Sequence, residues 1–141
     1  MIGDVIAGFA LAKLVYELVL NRDTANIERD KIFVDYLVEY HSQEFKTLKS
    51  MMTKRINIII DSNRRFKIGK TGDPEERFTK YSDYTAMYLL CRSSDMGIIE
   101  SLECYLNNKY YPMPNCDNVK GGSAGLMTNK HSEYFLYLVI E

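Results

Sequence analysis

Proline and glycine are distributed unevenly along this chain of 141 residues. Residues 1–55 contain no proline and only Gly3 and Gly8, whereas the three prolines and the other glycines all lie in residues 56–141. Because both residue types disfavour helix interiors, the first part is predicted to be helical and the second to mix helices, strands and turns. We therefore predict a helical extension over residues 1–55 followed by an α/β domain of the α+β kind over residues 56–141.

The composition excludes several classes of protein. A hydrophobic content of 46% with 26% charged residues is typical of a folded globular chain and excludes a disordered or collagen-like one. Because 18 basic side chains are balanced by 19 acidic ones, the net charge of -1 gives no overall attraction to DNA or to an acidic membrane. Cys91, Cys104 and Cys116 are odd in number and form no C-x-x-C pair, which argues against a disulfide framework and favours a reducing compartment.

The most apolar segment is residues 4–20, where only Lys13 and Glu17 are charged after Asp4. Their i,i+4 spacing places them on one narrow face of a helix that is otherwise apolar. Such a helix is covered either by other protein or by a membrane, and a charge near its middle, costing ~3 kcal/mol in a bilayer, favours protein. The segment lacks the basic start and cleavage site of a secretory signal, so we expect it to stay on a protein that is not secreted.

A second, long amphipathic helix is predicted over residues 24–54, capped at its start by Asp23 or Thr24. Its apolar residues recur at steps of three or four, as one helical face requires. His41 lies within this stripe and is predicted to be a core or interface residue instead of a metal ligand. The stripe consists of Val34, Leu37, Val38, His41, Phe45, Leu48 and Met52.

The remaining residues alternate between strand and helix signals. Residues 56–60 are predicted to be a buried strand, and residues 65–68 the second arm of a hairpin that turns at residues 61–63. Asp73 and Pro74 predict a helix start, because aspartate caps well and proline suits the first helical position. The other predicted elements are a strand over residues 86–91, a helix capped by Asp95 that ends near residue 109 and a strand over residues 134–140.

The segment F-K-I-G-K-T-G-D-P-E-E-R-F, at residues 66–78, combines a strand end, a glycine turn, a capped helix and an arginine. It is followed by E-S-L-E-C-Y-L with Glu103, by N-V-K-G-G-S-A-G from Asn118 and by the ending H-S-E-Y-F from His131. In this order the motifs resemble the GIY-YIG nuclease superfamily, in particular the branch whose second motif reads K-I-G-x-T. This branch is common in phages, large DNA viruses and bacteria. The resemblance implies a small mixed or antiparallel sheet flanked by helices.

The same resemblance implies a phosphodiester-cleaving site. Arg77 is its candidate for stabilising phosphate charge, and Glu103 is the candidate catalytic ligand of Mg²⁺ or Mn²⁺. A helical glutamate is nevertheless more often a solvated residue or a salt-bridge partner than a metal ligand. We expect both side chains to project from two helices toward one face of the sheet near Lys67 and Lys70. The candidate nucleic-acid-binding residues form a cationic run, which a charged sheet edge also explains. They are Arg64, Arg65, Lys67 and Lys70.

The tyrosines that the family uses to activate water are missing from both motifs. I-N-I-I-I at residues 56–60 and Phe66 stand in their places, and loss of a positioned base lowers a rate by about 10²- to 10⁴-fold. Tyr81, Tyr84 and Tyr88 are alternatives on neighbouring segments.

We therefore predict an inactive, structural or interaction component on a degenerate nuclease-like fold. It would need no cofactor and would join an assembly, such as the capsid of a large DNA virus, through contacts of its N-terminal helices with other protein subunits. Membrane contact of the first helix is the alternative to such burial. The alternative function is a DNA endonuclease that requires Mg²⁺ or Mn²⁺, with DNA as its partner. A virion or the interior of a cell is the expected location.

Overall fold

The computed structural model describes residues 31–120, 127 and 131–141. The predicted helix over residues 4–20 and the predicted caps Asp23 and Thr24 lie outside these residues. Within the described ranges, no helix is both long and apolar enough to cross a membrane. The described elements are, in chain order, β1 (Lys31–Phe33), β2 (Val38–Glu39), α1 (Phe45–Ile59), β3 (Phe66–Thr71), α2 (Pro74–Thr79), β4 (Ala86–Ser93), α3 (Met96–Tyr110) and β5 (Tyr134–Ile140).

The strands form one mixed sheet. β5 pairs antiparallel with β3 on one side and with β4 on the other. β1 and β2 follow one another along the far edge of β4, both parallel to it. The apolar run of β5 suits a strand that is covered on both faces. The predicted α+β fold, with a small mixed sheet and flanking helices, is confirmed.

The two faces of the sheet pack against different helices. Alternate residues of β5 face opposite sides, as the pleat of a strand requires. Leu136 and Leu138 belong to the apolar cluster that also contains the buried residues of α1 and α3. Tyr137 and Val139 belong to a second cluster, to which α2 contributes Phe78. Therefore α2 lies on one face of the sheet, and α1 and α3 lie on the other.

Local capping signals place the starts of two helices correctly. The Asp73 carboxylate accepts a hydrogen bond from the backbone N–H of Glu76 at 3.2 Å, and Pro74 occupies the first position of α2. At the start of α3, the Asp95 carboxylate accepts from the N–H of Gly97 at 2.9 Å. These bonds satisfy N–H groups that have no partner within the helix.

The predicted long helix over residues 24–54 is wrong for the described residues 31–44. That stretch contains β1 and β2, which satisfy the backbone groups of β4 along its far edge, and α1 begins only at Phe45. His41 is not a core residue: its side chain is exposed and its Nε2 lies 3.2 Å from Oε1 of Glu39. The period of three to four is therefore coincidental up to residue 44.

The predicted strand over residues 56–60 is also wrong, because α1 continues to Ile59. Leu48, Met52 and Ile56 are its buried residues, and their four-residue spacing forms a single stripe against the sheet. The strand that pairs with β3 is β5 and not a preceding hairpin arm. The predicted division at residue 55 falls within α1, and residues before and after it contribute to one apolar cluster.

Candidate functional site

Gly69 of β3 and Tyr137 of β5 face each other in the sheet. A Cβ atom built on Gly69 would lie 2.4 Å from the Tyr137 hydroxyl oxygen, far inside van der Waals contact. The tyrosine ring therefore occupies the space that any side chain at residue 69 would need. Glycine permits this close approach, which places a buried phenol over β3.

A second phenol and two opposite charges surround Tyr137. The hydroxyl oxygens of Tyr137 and Tyr81 are hydrogen bonded at 2.5 Å. Burial raises the pKa of Tyr137 far above that of an ordinary tyrosine, Tyr81 raises it further, Arg77 lowers it and Glu103 raises it. Tyr137 is therefore a neutral phenol at neutral pH. An arginine and a glutamate both lie within electrostatic range of it.

Arg77 and Glu103 come from helices on opposite faces of the sheet. α2 packs on the face of Tyr137, whereas α3 packs on the other face. The expectation that both side chains project toward one face is therefore wrong. Lys67 and Lys70 are also separated, because residues three apart in a strand point to opposite sides.

Lys70 and Glu103 form a buried ion pair. Lys70 Nζ lies 3.6 Å from Glu103 Oε1, and the two side chains are only 8% and 5% exposed. The sequence indicated Lys70 as a phosphate contact and Glu103 as a metal ligand, but not that they would meet. One turn further along α3, the buried Asn107 donates from Nδ2 to the carbonyl of Val119 at 2.8 Å. Among the residues that the structure describes, its Oδ1 has no hydrogen-bond partner.

The donor chemistry at this point of α3 fits a hard cation. Mg²⁺ takes oxygen ligands and commonly uses one or two carboxylates together with phosphate oxygens and water. Glu103 offers a carboxylate and Asn107 an amide oxygen that is buried without a partner. Within the part of the chain that the structure describes, no group of three or more His, Cys, Asp or Glu side chains is placed to hold a metal. A cation would therefore depend on Glu103, where it competes with Lys70.

Comparisons of the chain with protein-family models, with curated proteins and with solved structures found no match. The resemblance to the GIY-YIG superfamily stays a prediction, and the function is inferred from the geometry of the site.

The predicted nucleic-acid-binding residues do not form one surface. Arg65 is held by Asp117 at 3.1 Å and by Glu141 at 3.4 Å, which neutralises its charge. Arg64 is exposed and donates from Nε to the backbone carbonyl of Glu141 at 2.6 Å. Lys70 points inward. Among the described residues, Arg65 and Lys70 are paired with carboxylates, whereas Arg64 and Lys67 are not.

The accessible rim of the site is formed by half-buried side chains. Lys67 Nζ lies 5.9 Å from the centre of the Tyr81 ring, and Arg77 is half-buried at the end of α2. Two cations and a phenol at the rim favour an anionic ligand.

Of the tyrosines considered as substitutes, only Tyr81 lies at the site. Tyr84 donates a hydrogen bond to Asp117, and the Tyr88 ring stacks on Phe33 with centroids 5.0 Å apart. Asn118, which resembles the family's asparagine, pairs with the backbone of Ile68 through two hydrogen bonds of 2.8 Å and so covers the outer edge of β3. The sequence did not indicate Tyr137 as a site residue, because this tyrosine lies in the continuous apolar run of β5. The signal was Gly69, since glycine inside a strand indicates that another group approaches closely.

Proposed function

We propose that this chain is a phosphodiester-cleaving domain that acts on nucleic acid. The observation that carries the proposal is the Tyr137 hydroxyl, held over Gly69 and within electrostatic range of both Arg77 and Glu103. Phosphodiester hydrolysis requires an oriented water molecule and fixed positive charge for the developing oxyanion. The Tyr137 phenol is suited to orienting the water molecule, and the cations Lys67 and Arg77 supply the positive charge.

Each side chain has a role that its surroundings support. The neutral Tyr137 hydroxyl, fixed by Tyr81, orients a water molecule by hydrogen bonding. Arg77 at the rim binds phosphate oxygens through its planar guanidinium group. Glu103 is the residue that would hold a divalent cation, which would supply Lewis-acid stabilisation of phosphate charge.

The test is a nicking assay on supercoiled DNA with Mg²⁺ or Mn²⁺. We expect cleavage by the full chain and a loss of about 10²- to 10⁴-fold in Tyr137→Phe, which removes only the hydroxyl group. The Arg77→Ala/Glu103→Ala double variant should be inactive. Tyr88→Phe is the matched control, because Tyr88 stacks on Phe33 away from the site. Cleavage that Tyr137→Phe retains in full would contradict the proposed role of the phenol.

A second candidate function is the structural or interaction component expected from the sequence. It is favoured by burial, since the side chains of Tyr137, Lys70 and Glu103 are almost wholly buried. In this role the ion pair would hold α3 against β3, and the hydrogen bond between the two phenols would hold the segment that follows α2 against β5. Tyr137→Phe and Glu103→Gln would then lower the melting temperature of a full chain that cleaves neither DNA nor RNA.

A further inference from the structure

We propose that His131 is the general base of the proposed cleavage reaction and that the buried carboxylate of Asp73 orients it. The inference rests on the proposed function and supplies a group that this function still needs. The buried Tyr137 hydroxyl stays protonated at neutral pH, so it can orient a water molecule but is a poor acceptor of its proton. The general base must therefore be another side chain.

His131 and Asp73 pair an accessible imidazole with a buried carboxylate. His131 Nε2 lies 3.7 Å from Asp73 Oδ1, and the two side chains are 38% and 6% exposed. The distance is longer than a hydrogen bond, and contacts of this kind commonly tighten when substrate binds. A carboxylate behind an imidazole orients the ring and stabilises the imidazolium that forms when the ring accepts a proton. Nδ1, the other ring nitrogen, is then the atom that takes the proton.

Asp73 lies on the same face of the sheet as Tyr137. Thr71 of β3 faces Phe135 of β5, which belongs to the same apolar cluster as Tyr137. The Thr71 hydroxyl oxygen accepts a hydrogen bond from the backbone N–H of Asp73 at 3.0 Å. Successive residues of a strand rise about 3.3 Å, so Thr71 is about 7 Å along β3 from Gly69, over which Tyr137 lies. Asp73 therefore begins α2 beside the proposed site.

The phosphate group that Arg77 is proposed to bind would lie near this pair. The Arg77 N–H donates to the Asp73 carbonyl at 3.0 Å, so the two residues are one helical turn apart. Long side chains of a helix point back toward its start, which is the end of α2 where Asp73 and His131 lie. Arg77 is also within electrostatic range of Tyr137, so a phosphate bound there is close to both groups.

The backbone beside His131 is unusual. Ser132, the next residue, adopts a φ of 55°, a left-handed conformation that is uncommon outside glycine. Backbone conformations of this kind cluster at functional sites, where the surrounding structure holds them. This turn separates His131 from β5, which begins at Tyr134.

The proposed step balances in atoms and in charge. As the water oxygen forms its bond to phosphorus, one water proton passes to Nδ1 of His131, which becomes an imidazolium beside Asp73. The bond from phosphorus to the leaving oxygen breaks, and its electron pair stays on that oxygen, which takes a proton from solvent. The imidazolium then returns its proton to the hydroxide left in the solvent, and neutral imidazole is restored.

The test compares the two histidines of the chain in the nicking assay on supercoiled DNA. We expect His131→Ala to lower the rate by about 10²- to 10⁴-fold, the typical contribution of a general base. Added imidazole should restore part of this rate, because it can enter the space that alanine leaves. His41→Ala is the matched control and should nick like wild type. His41 also lies beside a carboxylate, that of Glu39 at 3.2 Å, but at the far edge of the sheet.

Asp73→Asn separates the two roles of this residue. Asparagine caps a helix about as well as aspartate does, so α2 should keep its start and the variant should fold, as circular dichroism would show. The negative charge that stabilises the imidazolium is lost. The nicking rate should therefore fall, but by less than in His131→Ala.

Three results would overturn the inference. They are a His131→Ala variant that nicks as fast as wild type, an equal loss of rate in His41→Ala, and a deficit of His131→Ala that imidazole leaves unchanged. If Asp73→Asn fails to fold, the comparison of the two histidines decides. A wild type that does not nick DNA would overturn the proposed function as well, which distinguishes that failure from a loss of this inference alone.

Discussion

The absence of a side chain at residue 69 is required by the position of one phenol. In Gly69→Ala the new Cβ would lie 2.4 Å from the Tyr137 hydroxyl oxygen, so the ring must move. Overpacking of this kind typically costs about 1–3 kcal/mol, and we expect that loss in urea denaturation together with loss of nicking. Gly97→Ala at the start of α3 is the matched control, because its nearest neighbour is Asp95 Oδ1 at 3.3 Å and alanine favours a helix. Equal stability of both variants would mean that Tyr137 does not lie over β3.

The raised pKa of Tyr137 makes stability depend on alkaline pH. The folded state keeps the phenol protonated through burial, so its contribution to stability is present below the unfolded pKa, about 10 for tyrosine. It is lost as the pH rises from there through the folded pKa. We expect the urea midpoint of wild type to fall more steeply above about pH 10 than that of Tyr137→Phe. Parallel curves for the two proteins would show that the phenol titrates normally.

The three cysteines are expected to differ in reactivity because they differ in burial. Burial raises the pKa of the Cys91 thiol to about 12, and burial also raises the pKa of Cys116. Cys104 on α3 is exposed. Because the thiolate is the reactive form, Ellman's reagent should modify one thiol in the native protein and three in denaturant. Cys104→Ser should abolish the native reaction. A native reaction that persists in this variant would contradict the described burial.

At the scale of elements, a network of charges joins β2 to β4. Arg92 of β4 pairs with Glu39 of β2 and, at 3.4 Å, with Glu133 ahead of β5. Arg92→Met would leave Glu39 and Glu133 close together without their shared cation, which should destabilise the fold by about 3–5 kcal/mol in chemical denaturation.

Glu133→Gln is the comparison for this prediction. Burial raises the pKa of Glu133, which shows that its charged form gains less from Arg92 than it loses by desolvation. The glutamine variant should therefore lose far less stability at neutral pH than Arg92→Met. A similar loss in both variants would mean that Arg92 contributes through Glu133 alone.

The elements that could be predicted from the sequence are those with local signals. The N-cap residues Asp73 and Asp95 mark the starts of α2 and α3, and β5 spans the predicted residues 134–140. β1 and β2 depend on pairing with β4, which lies far along the chain. They were not predicted, because apolar residues at steps of three or four in residues 34–52 favoured a helix. The alternating signal that could have revealed them is Ile32, Val34, Tyr36, Val38 and Tyr40.

The site was predictable in part for the same reason. Arg77 and Glu103 are candidates because each lies in a motif that is short and continuous in sequence. Tyr137 enters the site only because β5 pairs with β3 in a register that sets it opposite Gly69. Local sequence carries no information on that register, since β5 is apolar on both faces.

For the whole molecule, the sheet and its helices form one body across the predicted division at residue 55. The apolar cluster on one face combines Leu48, Met52 and Ile56 of α1 with residues of β5 such as Leu138. Removing α1 would expose that face to water, and removing β1 and β2 would expose the edge of β4. An exposed strand edge and apolar face favour aggregation.

These contacts predict the behaviour of two fragments. A fragment of residues 56–141 lacks β1, β2 and most of α1, so we expect it to be insoluble or to unfold without a cooperative transition. A fragment of residues 31–141 retains every described strand and helix and should unfold cooperatively. Circular dichroism during heating, with size-exclusion chromatography of each fragment, makes the comparison. A shorter fragment that melts cooperatively as a monomer would restore the boundary at residue 55, because its core would then be complete without α1.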